Sequence, residues 1–181
     1  CIKSLLTFWC QHHYIHIMPY TQKKHATVRQ KSKPALATRE LDYLFRALNA
    51  LPTETEFQRF NQARLRWAVT LMLHLGLRIQ ELITLNMSAF HQQPDQDNLW
   101  QINIRAQDVL PITADVLIAL YDFRQIMGWQ PNYPDNTRVE NDRPLIPRNR
   151  TGHARLSQQN LRIQLNNLFK CAADILAVEE P

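Results

Sequence analysis

The chain has 181 residues, a hydrophobic fraction of 45% and a formal net charge of +5 at pH 7. This length suffices for one domain and part of a second, and the apolar fraction suffices for a sizeable core. No stretch approaches the roughly 18 uncharged apolar residues that a membrane-spanning helix needs, so we expect a soluble, cytoplasmic protein without a membrane partner.

The three cysteines are an odd number and show no CxxC spacing; they are Cys1, Cys10 and Cys171. We expect reduced thiols in an intracellular protein. The first residue is cysteine and not methionine, so we expect a fragment of a longer reading frame or a processed product.

The excess of positive charge is concentrated in residues 18–36. This segment contains no acid and five bases, Lys23, Lys24, Arg29, Lys31 and Lys33. The rest of the chain contains 16 bases (21 minus 5) and 16 acids. A second acid-free run, residues 143–173, contains Arg148, Arg150 and Arg155. Such clusters are typical of proteins that bind a polyanion, most often nucleic acid, and a solvated basic tether is the alternative interpretation.

The first predicted element is a helix over residues 2–17, whose apolar positions share one face: Ile2, Leu5, Leu6 and Trp9. Pro19 ends this helix. Residues 18–36 are polar and basic and contain two prolines, which is typical of an extended interdomain linker.

Two longer helices follow the linker. Thr38 is the predicted N-cap of the first, whose core face carries Leu41, Leu44, Phe45 and Leu48. Thr53 and Glu56 have the T-x-x-E spacing of a capping box and predict the start of the second helix, which Gly76 ends. The aromatic residues at helical spacing in it are predicted to be core: Phe57, Phe60 and Trp67.

A third helix is predicted from Leu77 to Leu85, with Arg78 at its start among core leucines. A buried guanidinium costs several kcal/mol unless it is paired or faces an anion. Two explanations remain open. Arg78 forms an intrahelical ion pair with Glu81, three residues on, or it forms an anion site together with the free amides of the helix N-terminus.

The remaining segments complete a mainly α, α+β fold. Residues 99–104 (LWQINI) and 109–112 (VLPI) predict a small antiparallel hairpin. Thr113 caps a helix that ends at Gly128, and Ser157 caps the last helix. The apolar face of that last helix is predicted to be Leu161, Leu165, Leu168, Phe169 and Ala172.

Metal and cofactor sites are not expected. His12 and His16 have a spacing that zinc sites use, but two further ligands are missing nearby. The whole chain has only three glycines, too few for a glycine-rich loop that binds phosphate.

The order of these motifs resembles the tyrosine recombinase (phage integrase) family of site-specific recombinases. The most specific string is HLGLRIQELITL, followed by NLWQINI, VLPITADVLIAL and RPLIPRNRTGHARLS. By this resemblance, residues 1–17 are the last helix of an N-terminal core-binding domain, and residues 18–36 are the basic linker along DNA. Residues 37–181 are the N-terminal part of the catalytic domain.

The resemblance also implies a chemistry. In this family a tyrosine attacks a DNA phosphodiester to give a 3'-phosphotyrosine, while two arginines hold the non-bridging oxygens. Arg78 matches the first catalytic arginine, and Glu81 matches the residue that supports the fold around it. Double-stranded DNA is the implied partner, and the implied location is the nucleoid. The implied DNA contacts are Lys23, Lys24, Arg29, Lys31, Lys33 and Arg105. Independently of the resemblance, Arg148, Arg150 and Arg155 lie in a polar loop before the Ser157 cap, where packing does not require them, so phosphate contact and simple solvation both remain open.

The sequence departs from the family pattern in two places. The hairpin lacks the usual lysine, and Arg105 is the nearest cation. None of the seven histidines is followed by arginine at the third place, so the HxxR motif is missing, and the tyrosine nucleophile is expected further on. The chain alone should therefore be inactive, with tetramers expected only for the complete protein. Two alternatives are a truncated DNA binder or regulator that does not cut, and a helical interaction module without nucleic acid.

Overall fold

The structure is a computed structural model that describes residues 38–93, 96–105, 108–129 and 142–179. All of them belong to one compact unit, Ala37–Pro181. The helix predicted over residues 2–17 and the linker predicted over residues 18–36 lie outside the described residues, together with the five bases of that linker.

The described residues form five α-helices and three β-strands. The helices are α1 (Thr38–Asn49), α2 (Glu56–Leu75), α3 (Ile79–Thr84), α4 (Ala114–Met127) and α5 (Gln158–Glu179). The strands are β1 (Phe90–Gln93), β2 (Gln96–Arg105) and β3 (Asp108–Pro111). The predicted class, mainly helical with a small antiparallel sheet, is confirmed. In these ranges, no helix is both long enough and apolar enough to cross a bilayer.

The sheet is antiparallel, with the strand order β1-β2-β3. The predicted hairpin is confirmed as the β2–β3 pair, in which Ile102 lies opposite Leu110. Strand β1 was not predicted, and it places Phe90 opposite Ile102. Trp100 and Ile102 are buried, whereas Leu99 is exposed. This alternation is the pattern of a strand with one face on the core.

The start of α2 differs from the prediction. Its N-cap is Thr55, whose hydroxyl accepts a hydrogen bond from the Gln58 N–H at 3.2 Å, and the Gln58 side-chain oxygen accepts one from the Thr55 N–H at 2.9 Å. The box predicted from Thr53 and Glu56 is therefore wrong by two residues, because glutamine serves at the third helical position as well as glutamate. Helix α1 begins with Thr38 itself and not after it.

Four predicted helix ends are confirmed, whereas the helix predicted from Leu77 to Leu85 is shorter and spans Ile79–Thr84. Gly76 and Gly128 follow α2 and α4 with φ of +65° and +68°, the left-handed conformation that glycine adopts without strain. Thr113 precedes α4 in extended backbone. Before α5, the Ser157 hydroxyl accepts a hydrogen bond from the Asn160 N–H at 3.2 Å.

The core is centred on Trp67, which is 1% exposed. Its ring stacks on Phe123 of α4, with centroids 6.0 Å apart and planes 13° apart, and it lies 6.0 Å from the Phe90 ring of β1. The indole N–H donates to the Leu145 main-chain oxygen at 3.2 Å. One side chain of α2 thus contacts a second helix, the sheet and the segment that precedes α5.

Two aromatic residues that were predicted to be core are exposed. Phe57 is 69% exposed, although Phe60 is buried, and Phe169 is 43% exposed, although Leu168 is buried. On a helix with 3.6 residues per turn, Phe169 points about 100° away from Leu168, which turns it out of the core. Phe57 points in the same direction as the buried Leu75, but it is the second residue of α2 and lies in its exposed first turn.

Trp129 closes the edge of the core after α4. Its ring meets Phe123 edge-on at 6.1 Å, and the Arg143 guanidinium lies 4.4 Å from the ring centroid. Gly152 packs against the same indole with φ of +74°. A Cβ at residue 152 would lie 2.4 Å from the Trp129 ring, so only glycine fits this position.

The packing of α5 against α1 is reinforced at its far end by an ion pair. Both guanidinium nitrogens of Arg46 reach the Glu179 carboxylate, one of them at 2.7 Å. The hydrogen bond from Arg46 holds the pKa of Glu179 below its usual value of 4.5. Because the pair is exposed, its contribution to stability is small.

We expect Gly152→Ala to destabilise the fold more than Gly128→Ala. Both positions have positive φ, so alanine costs about 1 kcal/mol at each. Residue 128 has open space around it, whereas contact with Trp129 adds about 1–3 kcal/mol at residue 152. Denaturant unfolding of the two variants measures the difference. Equal losses would show that Gly152 is not packed on the indole.

We expect the Arg46–Glu179 pair to stabilise the fold near neutral pH and not in acid. A carboxyl whose folded pKa is lowered contributes stability above its unfolded pKa of 4.5, and this is lost as the pH falls through the folded value. Glu179→Gln should therefore lower the melting temperature slightly near pH 7, and the difference should vanish in acid. Glu54→Gln, at an exposed position, is the control. A difference that persists in acid contradicts the assignment.

Candidate nucleic-acid interface

Arg78 lies where the chain leaves α2. After the left-handed Gly76, Leu77 is 2% exposed, and Arg78 follows in extended backbone with φ of −78° and ψ of +154°. Because consecutive side chains of an extended backbone point in opposite directions, burying Leu77 turns Arg78 outward. The expectation of a guanidinium buried among leucines is wrong. The side chain is exposed, so there is no desolvation cost that a buried partner would have to offset.

Glu81 supports Arg78 through the main chain. Its carboxylate accepts a hydrogen bond from the Arg78 N–H at 2.8 Å, across the first turn of α3. The Arg78 guanidinium forms no ion pair with a carboxylate within the described ranges, which contradicts the intrahelical ion pair considered from the sequence. The backbone at Arg78 is therefore held, while its charged group stays available.

Arg155 binds the other end of α3. Its Nη1 donates to the main-chain oxygens of Ile83, Thr84 and Leu85 at 2.9, 2.7 and 3.1 Å, and its Nη2 donates to the Asn86 side-chain oxygen at 2.5 Å. The last carbonyls of a helix lack partners within the helix and carry its negative dipole end, so a cation suits them. The expectation that packing does not require Arg155 is wrong.

Helix α3 therefore has an arginine at each end. Arg78 precedes its first residue and Arg155 caps its last turn, and a helix of this length spans about 9 Å. The structure thus brings together two residues that are 77 positions apart (155 minus 78) and that were both predicted to contact DNA.

Residues 147–155, here called the arginine loop, carry the other predicted cations. The loop is closed by a bridge between Pro147 and Arg155 and by the Arg148 N–H, which donates to the Ala154 oxygen at 2.7 Å. Arg148 is exposed. Arg150 donates to the carboxylate of Glu56 at 2.8 Å. The ion pair leaves Arg150 less able than Arg148 to bind an external anion.

One arginine in this region was missed by sequence reasoning. Arg64 is 3% exposed and donates to the main-chain oxygens of the arginine loop at Pro147 and Arg148. Its position was a usable signal, because it lies four residues after Phe60 and three before Trp67, on the buried face of α2. The helical pattern therefore placed a cation in the core.

Several predicted residues cannot be placed in the site. Lys23, Lys24, Arg29, Lys31 and Lys33 lie outside the described residues, as do His12 and His16. Arg105 is the last residue of β2, and its side chain is also outside them. Among the side chains that are described, no group of three or more His, Cys, Asp or Glu is arranged to bind a metal.

We expect Arg155→Ala to destabilise the fold by about 1–2 kcal/mol, because the variant loses the donor that satisfies the carbonyls at the end of α3. Arg148→Ala removes a neighbouring arginine whose side chain is exposed, and it should change the stability by less than about 0.5 kcal/mol. Urea unfolding of both variants measures the difference. Equal stability of the two would show that the cap is not needed.

The chain was compared with protein-family models, with curated proteins and with solved structures, and none of them matches it.

Proposed function

We propose that this chain is a DNA-binding part of a site-specific tyrosine recombinase, which in the complete protein breaks and rejoins DNA strands through a 3'-phosphotyrosine. One observation carries the proposal. Arg78 presents an exposed guanidinium from a backbone that Glu81 holds at 2.8 Å. An arginine of this kind is suited to an external anion, because little of its main-chain freedom is left to lose on binding.

In this proposal Arg78 binds the phosphodiester that reacts. A guanidinium donates to two oxygens of a phosphate at once, and these hydrogen bonds strengthen as negative charge builds up on the phosphorus oxygens. Removal of one such donor from an enzyme typically costs about 3–4 kcal/mol of transition-state stabilisation. Glu81 acts through the main chain of Arg78 and transfers no proton. The nucleophilic tyrosine and the HxxR motif lie outside these residues.

The other cations contribute affinity in this proposal. Arg148 is exposed and binds a backbone phosphate directly. Arg155 remains exposed while it caps α3, and Arg150 shares its charge with Glu56. Arg105 and the basic residues 18–36 extend the contact along the duplex. Contacts of this type fix the position of a protein on DNA and carry no sequence information.

A second candidate is a regulator that binds DNA without cutting it. This candidate shares the phosphate contacts and differs only in chemistry. The third candidate is a helical interaction module that does not bind nucleic acid. This candidate remains if the binding experiment below shows no binding to DNA.

We expect the chain to bind duplex DNA with an affinity that falls linearly with salt on logarithmic axes. Arg78→Ala should reduce the slope by about 0.9, the value for one phosphate contact, and leave most of the affinity. Fluorescence anisotropy with a labelled duplex at several salt concentrations measures both. The matched control is Arg59→Ala, which removes an exposed arginine about 24 Å along α2 from the Gly76 turn. Binding that does not depend on salt excludes the DNA proposal.

Cleavage separates the recombinase from the regulator. In a longer chain that contains the HxxR motif and the tyrosine, Arg78→Ala should abolish strand cleavage, while Arg59→Ala should leave it unchanged. The covalent DNA–protein product is measured on a denaturing gel with a substrate that carries a nick. Cleavage that survives Arg78→Ala would exclude Arg78 as the phosphate-binding arginine.

A further inference from the structure

Arg64 is a buried cation whose hydrogen bonds within the described part of the chain all go to neutral oxygens. The side chain is 3% exposed, and it lies on the core face of α2, with the guanidinium 4.8 Å from the Phe60 ring. Burial lowers the pKa of this guanidinium to about 10, so it is still protonated near neutral pH. Its Nε–H has no hydrogen-bond partner among the described residues. Burying this charge is unfavourable, and an apolar side chain in its place would avoid the cost.

The contacts of Arg64 join three parts of the fold. Nη1 donates to the main-chain oxygens of Arg148 at 2.8 Å and Pro147 at 3.3 Å. Nη2 donates to the side-chain oxygens of Asn61 at 2.8 Å and Gln164 at 3.2 Å. A single guanidinium therefore connects α2, the arginine loop and α5.

These contacts fix the main chain of Arg148 in particular. Its N–H donates across the loop to Ala154 at 2.7 Å, and its C=O accepts from Arg64 at 2.8 Å. Both polar groups of the peptide backbone at Arg148 are thus held. Its side chain points to solvent. The direction of the exposed cation is set by a residue that is itself inaccessible.

We propose that Arg64 is a positioning residue, which holds the arginine loop so that the Arg148 guanidinium meets a DNA phosphate. This inference rests on the proposed function. Arg64 touches no DNA and acts through Arg148. The role explains why a charge that is unfavourable for folding stands at a core position, because an apolar side chain cannot donate to the loop carbonyls.

The test is a double-mutant cycle between Arg64→Met and Arg148→Ala, read as salt-dependent binding to duplex DNA. Each single variant should reduce the salt slope by about 0.9, and the double variant should reduce it no further, because both remove the same phosphate contact. The control is Gln164→Met, which loses the contact to α5 and keeps both loop contacts. It should leave the slope unchanged. A wild-type slope in Arg64→Met, or reductions that add in the double variant, would overturn the proposal.

Amide hydrogen exchange without DNA separates this inference from the proposed function. In Arg64→Met the amides of residues 148–154 should exchange faster than in the wild type, whereas in Gln164→Met they should not. If the wild type binds no DNA, the proposed function fails, and unchanged exchange in Arg64→Met then overturns the positioning role as well. If Arg64→Met does not fold, Arg64→Lys takes its place, since lysine keeps the charge and can reach one carbonyl. Exchange and salt slope should then change partially, and wild-type values for both would contradict the role.

Discussion

The contact on which the rest of the structure depends is the packing around Trp67. Its ring meets Phe123 and Phe90, and its indole N–H donates to the Leu145 oxygen. A large aromatic side chain with a satisfied polar atom buries much apolar area without leaving an orphaned donor. Because α2 is held in this way, its C-terminal end and the Gly76 turn have a defined place, and so has the main chain of Arg78.

The elements that could be predicted from the sequence are those whose signals are local. Gly76 and Gly128 end helices because glycine adopts positive φ without strain, which depends on the residue itself. The string LWQINI shows the alternation of apolar and polar residues within six positions. Strand β1 has four residues, which is too short for periodicity to reveal, and it is a strand only because β2 pairs with it. The choice between Thr53 and Thr55 was equally undecided by spacing, since both begin a valid capping box.

The candidate site was predicted less well than the fold, because net charge does not tell what an arginine binds. A guanidinium has five N–H donors and satisfies main-chain carbonyls as readily as phosphates. Arg155 uses its donors at the end of α3, Arg150 is paired with Glu56, and Arg64 is buried. Only the folded chain distinguishes these from Arg78 and Arg148. Sequence spacing cannot distinguish them, because the hydrogen-bond partners of these arginines lie up to 94 residues away in the chain.

The cap at the end of α3 has a consequence for folding. The Arg155 donors reach carbonyls 70 to 72 residues earlier in the chain, whereas the Glu81 contact to Arg78 spans three residues. Local contacts form early, and contacts of high sequence separation form late, since they require a long loop to close. During synthesis, the last turn of α3 therefore stays uncapped by Arg155 until the arginine loop has left the ribosome. The surface between the two arginines is therefore completed only after residue 155 has been synthesised.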